Sequence, residues 1–317
     1  MKPITLLLIF VVFIGCKNSN RPLTALEKSI SETKNHQQKH PGKKLMETSC
    51  YSCHSLTAPE NSRIAPPMIA IKNRYITKNT TKEEFVNDMQ NWMKNPTNEK
   101  AKMHGAVKRF GLMPKLGYPE ETIQKISEYM YDYDIEKPEW FDEHHKNQHP
   151  KRKKISLTYK ERGLEYALST KAVLGKNLMS KIQKNGTLAA LEFCNIKAYP
   201  LTDSMSVVNK ATIKRVSDKP RDQKNIASNI ENGYINIFKE NVKTNTKSDP
   251  ILVISEKKVK FYYPIITNRM CLQCHGNTNS DIEFSTLDKI KNLYPEDLAT
   301  GYQENQVRGI WSITFDK

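Results

Sequence analysis

Residues 50–54 read CYSCH and residues 271–275 read CLQCH, and this repeated pattern restricts the chain more than anything else in it. Two thiols three positions apart can form thioethers to one edge of a porphyrin while the histidine that follows reaches its iron, which is the attachment pattern of c-type haem. With six Cys and eight His in 317 residues, random placement gives about 0.002 such motifs per chain. A C-x-x-C pair alone also serves as a thioredoxin-type redox couple, but that use leaves His54 and His275 without a purpose. Four cysteines and two histidines could in principle build one structural zinc site, although the motifs stand more than 200 residues apart. The pattern is read here as two covalently attached haem c groups, held by Cys50, Cys53, Cys271 and Cys274, with His54 and His275 on the irons.

The chain begins MKPITLLLIFVVFIGC. Lys2 supplies a positive n-region, and residues 4–14 form an apolar run of signal-peptide length, too short to span a bilayer. Its end, Phe13-Ile14-Gly15-Cys16, resembles the lipobox of bacterial lipoproteins. That resemblance implies cleavage after residue 15 and a lipidated Cys16 as the membrane anchor, since each buried CH₂ adds ~0.8 kcal/mol and stable anchoring takes more than one chain. The plain alternative is an ordinary signal peptide. Lys17, with no Asp at that place, leans towards the outer membrane by analogy with known sorting rules. Residues 16–40 are polar and suit a tether. The expected location is therefore the periplasmic side of a bacterial membrane, an oxidising compartment. A net charge of +16 would permit nucleic-acid binding in a cytoplasmic protein. Export excludes that partner and leaves redox proteins, an acidic surface or lipid.

Residues 41–134 resemble a class I cytochrome c. Gly42-Lys43-Lys44-Leu45 opens a helix leading into CYSCH, Ala65-Pro66-Pro67-Met68 stands where that family has a Pro-containing loop, and Phe110-Gly111-Leu112-Met113-Pro114 precedes a helical run. In that run Ile123, Ile126, Tyr129, Met130 and Tyr133 share one helical face. The resemblance implies an all-α domain, a backbone carbonyl near Pro66 that orients His54, and Met113 as the distal ligand of the first haem. Met89, Met93, Met103 and His104 are rivals within the same segment, and a methionine that merely packs is the plain reading of each. A thioether ligand raises the haem potential.

Residues 135–156 are charged, lack apolar periodicity and read as a linker. His144, His145 and His149 there suit a solvated hinge better than a metal tract, and Lys151-Arg152-Lys153-Lys154 reads as a hydrated face. The remainder, residues 157–317, opens with a helix carrying Leu164, Leu168, Val173, Leu174, Leu178, Met179 and Ile182, stopped at Asn185-Gly186. A second helix runs from 187 to about 197, and strands are expected over 211–217, 257–266 and 307–315, with a helix near 226–238. Helices flanking a small antiparallel sheet make an α+β domain. This half resembles the Tll-type c-haem family, which is PAS-like. The resemblance rests on Gly186, Ala190, Cys194 and Asn195, on Arg215-Val216-Ser217 and Lys219-Pro220-Arg221, and on FYYPI before CLQCHG. Tyr294-Pro295, Asp297, Ala299-Thr300-Gly301-Tyr302 and Arg308-Gly309 complete it.

Cys194 has no partner at metal-ligand or redox-motif spacing. In an exported protein such a residue is a reactive thiol, an intermolecular disulfide or a ligand, or it is a small buried hydrophobe. The resemblance implies that Cys194 is the axial ligand opposite His275. Iron depresses the pKa of a thiol it binds, which suits that role. A His54/Met113 haem and a His275/Cys194 haem would differ in potential, and the expected function is periplasmic electron transfer by a dihaem lipoprotein, a carrier rather than a catalyst. A PAS-like redox or gas sensor is the competing class, and a haem peroxidase, which needs an open distal position and an acid–base group, is the third.

Overall fold

The structure is a computed structural model that describes residue 37 and residues 40–142 and 157–317. The apolar run, Cys16, the tether, the histidine cluster and the Lys151–Lys154 run all lie outside the described residues. Among the described residues no helix is long and apolar enough to cross a membrane.

Within residues 40–142 the regular elements are helices: α1 (Pro41–Ser49), α2 (Met68–Tyr75), α3 (Lys82–Lys94), α4 (His104–Phe110) and α5 (Glu120–Asp132). Proline at the first helical position and the His40 ring, which accepts from Gly42 N at 3.1 Å, start α1. A Thr81/Glu84 capping box starts α3. In α5 the expected apolar face is the buried one, with Ile123, Ile126, Tyr129 and Met130 all at 4% exposure or less. Met46, Met68, Tyr75, Phe85 and Met89 close the same core around it.

Residues 135–142 do not behave as a linker. Ile135 joins this core, Phe141 is buried, and Trp140 Nε1 donates to Ala58 O at 3.2 Å while its ring carries the Arg63 guanidinium. The charges on Glu136, Lys137 and Glu139 mask a segment whose few apolar side chains all turn inward.

The second half is an α+β arrangement. Helix α6 (Tyr159–Asn209) is kinked at Gly186, which has φ +79°. Strands β1 (Ala211–Val216), β2 (Ile251–Ile254), β3 (Lys258–Ile266) and β4 (Val307–Asp316) form an antiparallel sheet in the order β1-β4-β3-β2. Helices α7 (Asn229–Lys243), α8 (Arg269–His275) and α9 (Phe284–Leu293) complete the half. Strand periodicity sorts the core into two layers. Ile213, Val259, Phe261, Trp311, Ile313 and Phe315 pack with Ala167 of α6, whereas Val216, Tyr262 and Ile310 pack with Ile235 and Phe238 of α7.

The structure differs from the sequence expectation in three further places. The helix after Gly186 passes Lys197 and continues through Pro200 to Asn209. Pro200 removes one main-chain donor, but Ile196, whose carbonyl loses it, is 64% exposed and water can serve instead. The short edge strand β2 and helix α9 stand where periodicity gave no expectation.

Helix α1 crosses α5 at Gly42, where an added Cβ would collide with the main-chain oxygen of Lys125. Backbone cannot yield as a flexible side chain does. Gly42→Ala is therefore expected to destabilise the chain by roughly 1–3 kcal/mol, measured as a lowered midpoint in chemical denaturation of the first half's transition.

Candidate haem-binding sites

The first motif begins where α1 ends. Cys50 caps the helix through its N–H to Met46 O at 2.9 Å, and the chain turns again, with Cys53 N and His54 N both donating to Cys50 O at 3.1 and 2.8 Å. This turn gathers Cys50, Cys53 and His54 on one wall of an apolar cavity that opens to solvent. His54 is buried, and its Nδ1–H donates to Pro66 O at 2.6 Å. A carbonyl can only accept, so the proton sits on Nδ1 and the Nε2 lone pair is left free, the form in which histidine binds a metal. Burial pushes the His54 pKa down to about 4 against the opposing pull of the Pro66 carbonyl, so the ring is neutral.

The Pro66 carbonyl is itself held in place. Arg63, 7% exposed, donates to Ala65 O at 3.2 Å, to Ala58 O at 3.0 Å and to Ser55 O at 2.5 Å. It thereby ties the loop after CYSCH to the residues just before Pro66. Met113 lines the cavity together with Leu112 and Pro114. Met89, Met93 and Met103 line it too, while His104 is exposed at the start of α4 and is not part of the wall. The walls are otherwise mostly Met, Ile, Ala and aromatic side chains, so two thiols, a neutral imidazole and an apolar enclosure fit a haem.

The second motif lies on α8, capped by Asn268, whose side chain accepts from Cys271 N at 3.2 Å. His275 is held as His54 is: its Nδ1–H donates to Ala299 O at 2.7 Å. Arg308 Nε stands 3.4 Å from the same nitrogen, a longer approach to an atom already committed as a donor. Burial, reinforced by the charges of Arg221 and Arg308, holds the imidazole well below its ordinary pKa. Arg221 orders the surroundings. It donates to Cys274 O at 2.6 Å and grips Asp297 at 3.2 and 3.1 Å, and Asp297 Oδ1 accepts the Ala299 N–H at 2.8 Å. The carbonyl that fixes His275 thus belongs to a residue pinned by a buried ion pair.

Cys194 sits on α6 beyond the Gly186 kink. Burial pushes its thiol up, while Arg215 and Arg221 pull the other way, and its charge is felt by the Cys274 thiol. The kinked segment is clipped to the second motif by Thr187 Oγ1, which donates to Gln273 Oε1 at 3.0 Å. The structure therefore brings Cys194 to the second C-x-x-C-H motif and Met113 to the first. All five cysteines of the described residues are free thiols. Among those residues no three His, Cys, Asp or Glu side chains converge to hold a metal ion.

Sequence reasoning passed over Arg63, Trp140, Lys171 and Asn268. Lys171, on α6, donates Nζ to Ser52 O at 2.6 Å, and Arg269 Nε donates to Leu116 O at 3.1 Å. The two halves are therefore in direct contact through their motifs. Only Asn268 carried a signal, an N-cap residue three positions before Cys271.

Comparison with known proteins agrees with the second half's resemblance. The family model described as Tll0287-like (Tll0287) matches residues 72–315. A solved structure described as the crystal structure of the cyanobacterial heme-protein Tll0287 is similar at 19% identity, covering 51% of this chain and 98% of that chain with a TM-score of 0.36. No curated protein matches. The family match begins within α2, after the first motif, and ends in β4, which is most of the sequence: the chain belongs to the Tll0287-like family.

Proposed function

We propose that the chain is a dihaem c-type cytochrome that carries single electrons, anchored through a lipidated Cys16 on the periplasmic side of a bacterial membrane, with the outer membrane favoured. The reading rests on one observation made twice. Each histidine that follows a C-x-x-C pair, His54 buried and His275 half-buried, gives its Nδ1 proton to a main-chain carbonyl, at 2.6 Å for His54 and 2.7 Å for His275. Structural histidines need no such pairing with flanking thiols, whereas a proximal haem ligand needs all of it.

Bound haem supplies a one-electron ferric/ferrous couple. In the first site, in the half that resembles a class I cytochrome, Cys50 and Cys53 would carry the thioethers, and His54 and Met113 would hold the iron. In the second, Cys271 and Cys274 would carry the thioethers, and His275 and Cys194 would hold the iron. Met113 is a neutral thioether and favours a high potential. Cys194 is a thiolate when it binds metal; burial pushes its thiol pKa up, and Arg215 and Arg221 beside it offset part of that. The two ligand sets therefore push the sites apart in potential, within the roughly 0.8 V that axial ligation spans. Redox partners would meet a strongly basic molecule, with net charge +16, which steers acidic surfaces towards it.

A redox titration of the mature protein followed by EPR is expected to give two haems with unequal midpoints, the second with a low-spin ferric thiolate signature. A pyridine haemochrome assay returning one haem per chain, or two equal midpoints, would overturn the proposal. Cys194→Ala is expected to raise the second potential and alter that haem's absorption; an unchanged spectrum removes Cys194 from the iron.

The Arg221–Asp297 pair is a stability prediction of its own. Arg221→Ala leaves Asp297, 6% exposed, without its partner and is expected to cost about 3 kcal/mol in denaturation. Arg221→Lys restores only part of this, because one ammonium cannot reproduce a forked grip on a carboxylate and a carbonyl.

A further inference from the structure

The two C-x-x-C-H motifs meet at a single amide. Asn268 is 7% exposed. Its Oδ1 accepts from Cys271 N at 3.2 Å and lies 3.2 Å from Cys271 Sγ, which donates to it only while it is a free thiol. Its Nδ2 reaches across to the other half, donating to Ser52 Oγ at 2.8 Å and standing 3.8 Å from Cys53 Sγ. One side chain therefore spans an attachment cysteine of each motif. Lys171 reinforces the join from α6 by donating to Ser52 O at 2.6 Å. Asn268 and Met270 also form part of the first cavity's wall, on the same side as Cys53, so the second motif's helix helps enclose the first site.

N-capping explains only half of this geometry. The cap uses Oδ1 and would be served as well by Ser or Asp. It does not account for an Nδ2 spent on a serine and a cysteine of the other motif, far away in sequence. A buried amide donor needs a partner, and this one finds it between the two sulfurs.

Resting on the dihaem reading above, we propose that Asn268 is a positioning residue that registers Cys53 against Cys271, so that the two haem sites form one rigid, mutually coupled pair instead of two carriers on a hinge. The closeness of the sulfurs puts any charge on residue 268 beside both sites at once. A residue that merely capped α8 would influence the second site alone.

The test uses the full-length holoprotein. The wild type is expected to give a bisignate Soret circular dichroism couplet, the signature of two adjacent porphyrins. Asn268→Asp keeps the N-cap and the side-chain length but places a carboxylate where the donor was. It is expected to lower both haem potentials and, because a carboxylate at a 7% exposed position lacks a cationic partner among the described residues, to lower the unfolding midpoint as well. A tenfold change in the reduced-to-oxidised ratio at each haem, 59 mV for one electron, is the expected scale. Asn268→Ser keeps the cap without the reach, and is expected to weaken the couplet while leaving the haem content intact. Two haems per chain with no couplet in the wild type, or an Asn268→Asp variant that shifts the second potential only, would overturn this proposal and leave the dihaem reading standing. A haemochrome value of one would overturn both.

Discussion

An imidazole that gives its Nδ1 proton to a main-chain carbonyl has one lone pair left to offer, on Nε2, and a fixed direction in which to offer it. The two halves of this chain, unlike in fold, each spend a main-chain carbonyl on that constraint. Everything around the motifs can be understood as the means of holding those two carbonyls still. In the helical half, Pro66 lies in a loop without regular structure, and such a loop would wander if nothing gripped it. Arg63 does so by donating to three carbonyls, and its guanidinium lies against Trp140. In the α+β half the same task falls to Arg221 and Asp297, which fix Ala299 from its N–H side while His275 takes its oxygen.

Both solutions use an arginine largely withdrawn from water, Arg63 buried and Arg221 half-buried, and the reason is chemical. A loop presents several main-chain oxygens in different directions, and guanidinium has five donors in a rigid fork to meet them. The cost is a charge removed from water. Burial lowers the pKa of Arg63 to about 10, whereas Arg221 has Asp297 as its counter-ion. Among the described residues Arg63 has no such partner, and it relies on carbonyl dipoles and an aromatic face.

The motifs were legible because each is a local run of fixed residue types at fixed spacing, and the α5 face and the long strands were legible because burial imposes periods of 3.6 and 2. Met113 and Cys194 were named through family resemblance; their placement beside the two motifs comes from tertiary structure that no local pattern encodes. The ordered course of residues 135–142 was not legible. It depends on Ile135, Trp140 and Phe141 finding pockets in a core formed by distant segments, and nearby charges made the stretch look solvated. Pro200 misled for the opposite reason: a strong local breaker was overridden because the carbonyl it orphans faces water. Asn268 and Lys171 were invisible because their importance lies in a contact between halves.

That contact depends on α6, which acts as the spine of the molecule. Before the kink, Lys171 reaches Ser52 of the first motif and Gln183 reaches Leu112, beside Met113. After it, Thr187 reaches Gln273 of the second motif, and Cys194 lies near Cys274. A straight helix from Lys171 to Cys194 would extend roughly 34 Å at 1.5 Å per residue, carrying Cys194 past the motif that Lys171 has just helped to seat. Gly186 breaks that line with a φ of +79°, a conformation that glycine adopts without the penalty a Cβ brings. A residue with a side chain there would favour a continuous helix, and one sequence position thus decides whether a single helix can serve both sites. The pairing of the motifs and the placement of Cys194 are in this sense one structural decision, made by the backbone freedom of Gly186.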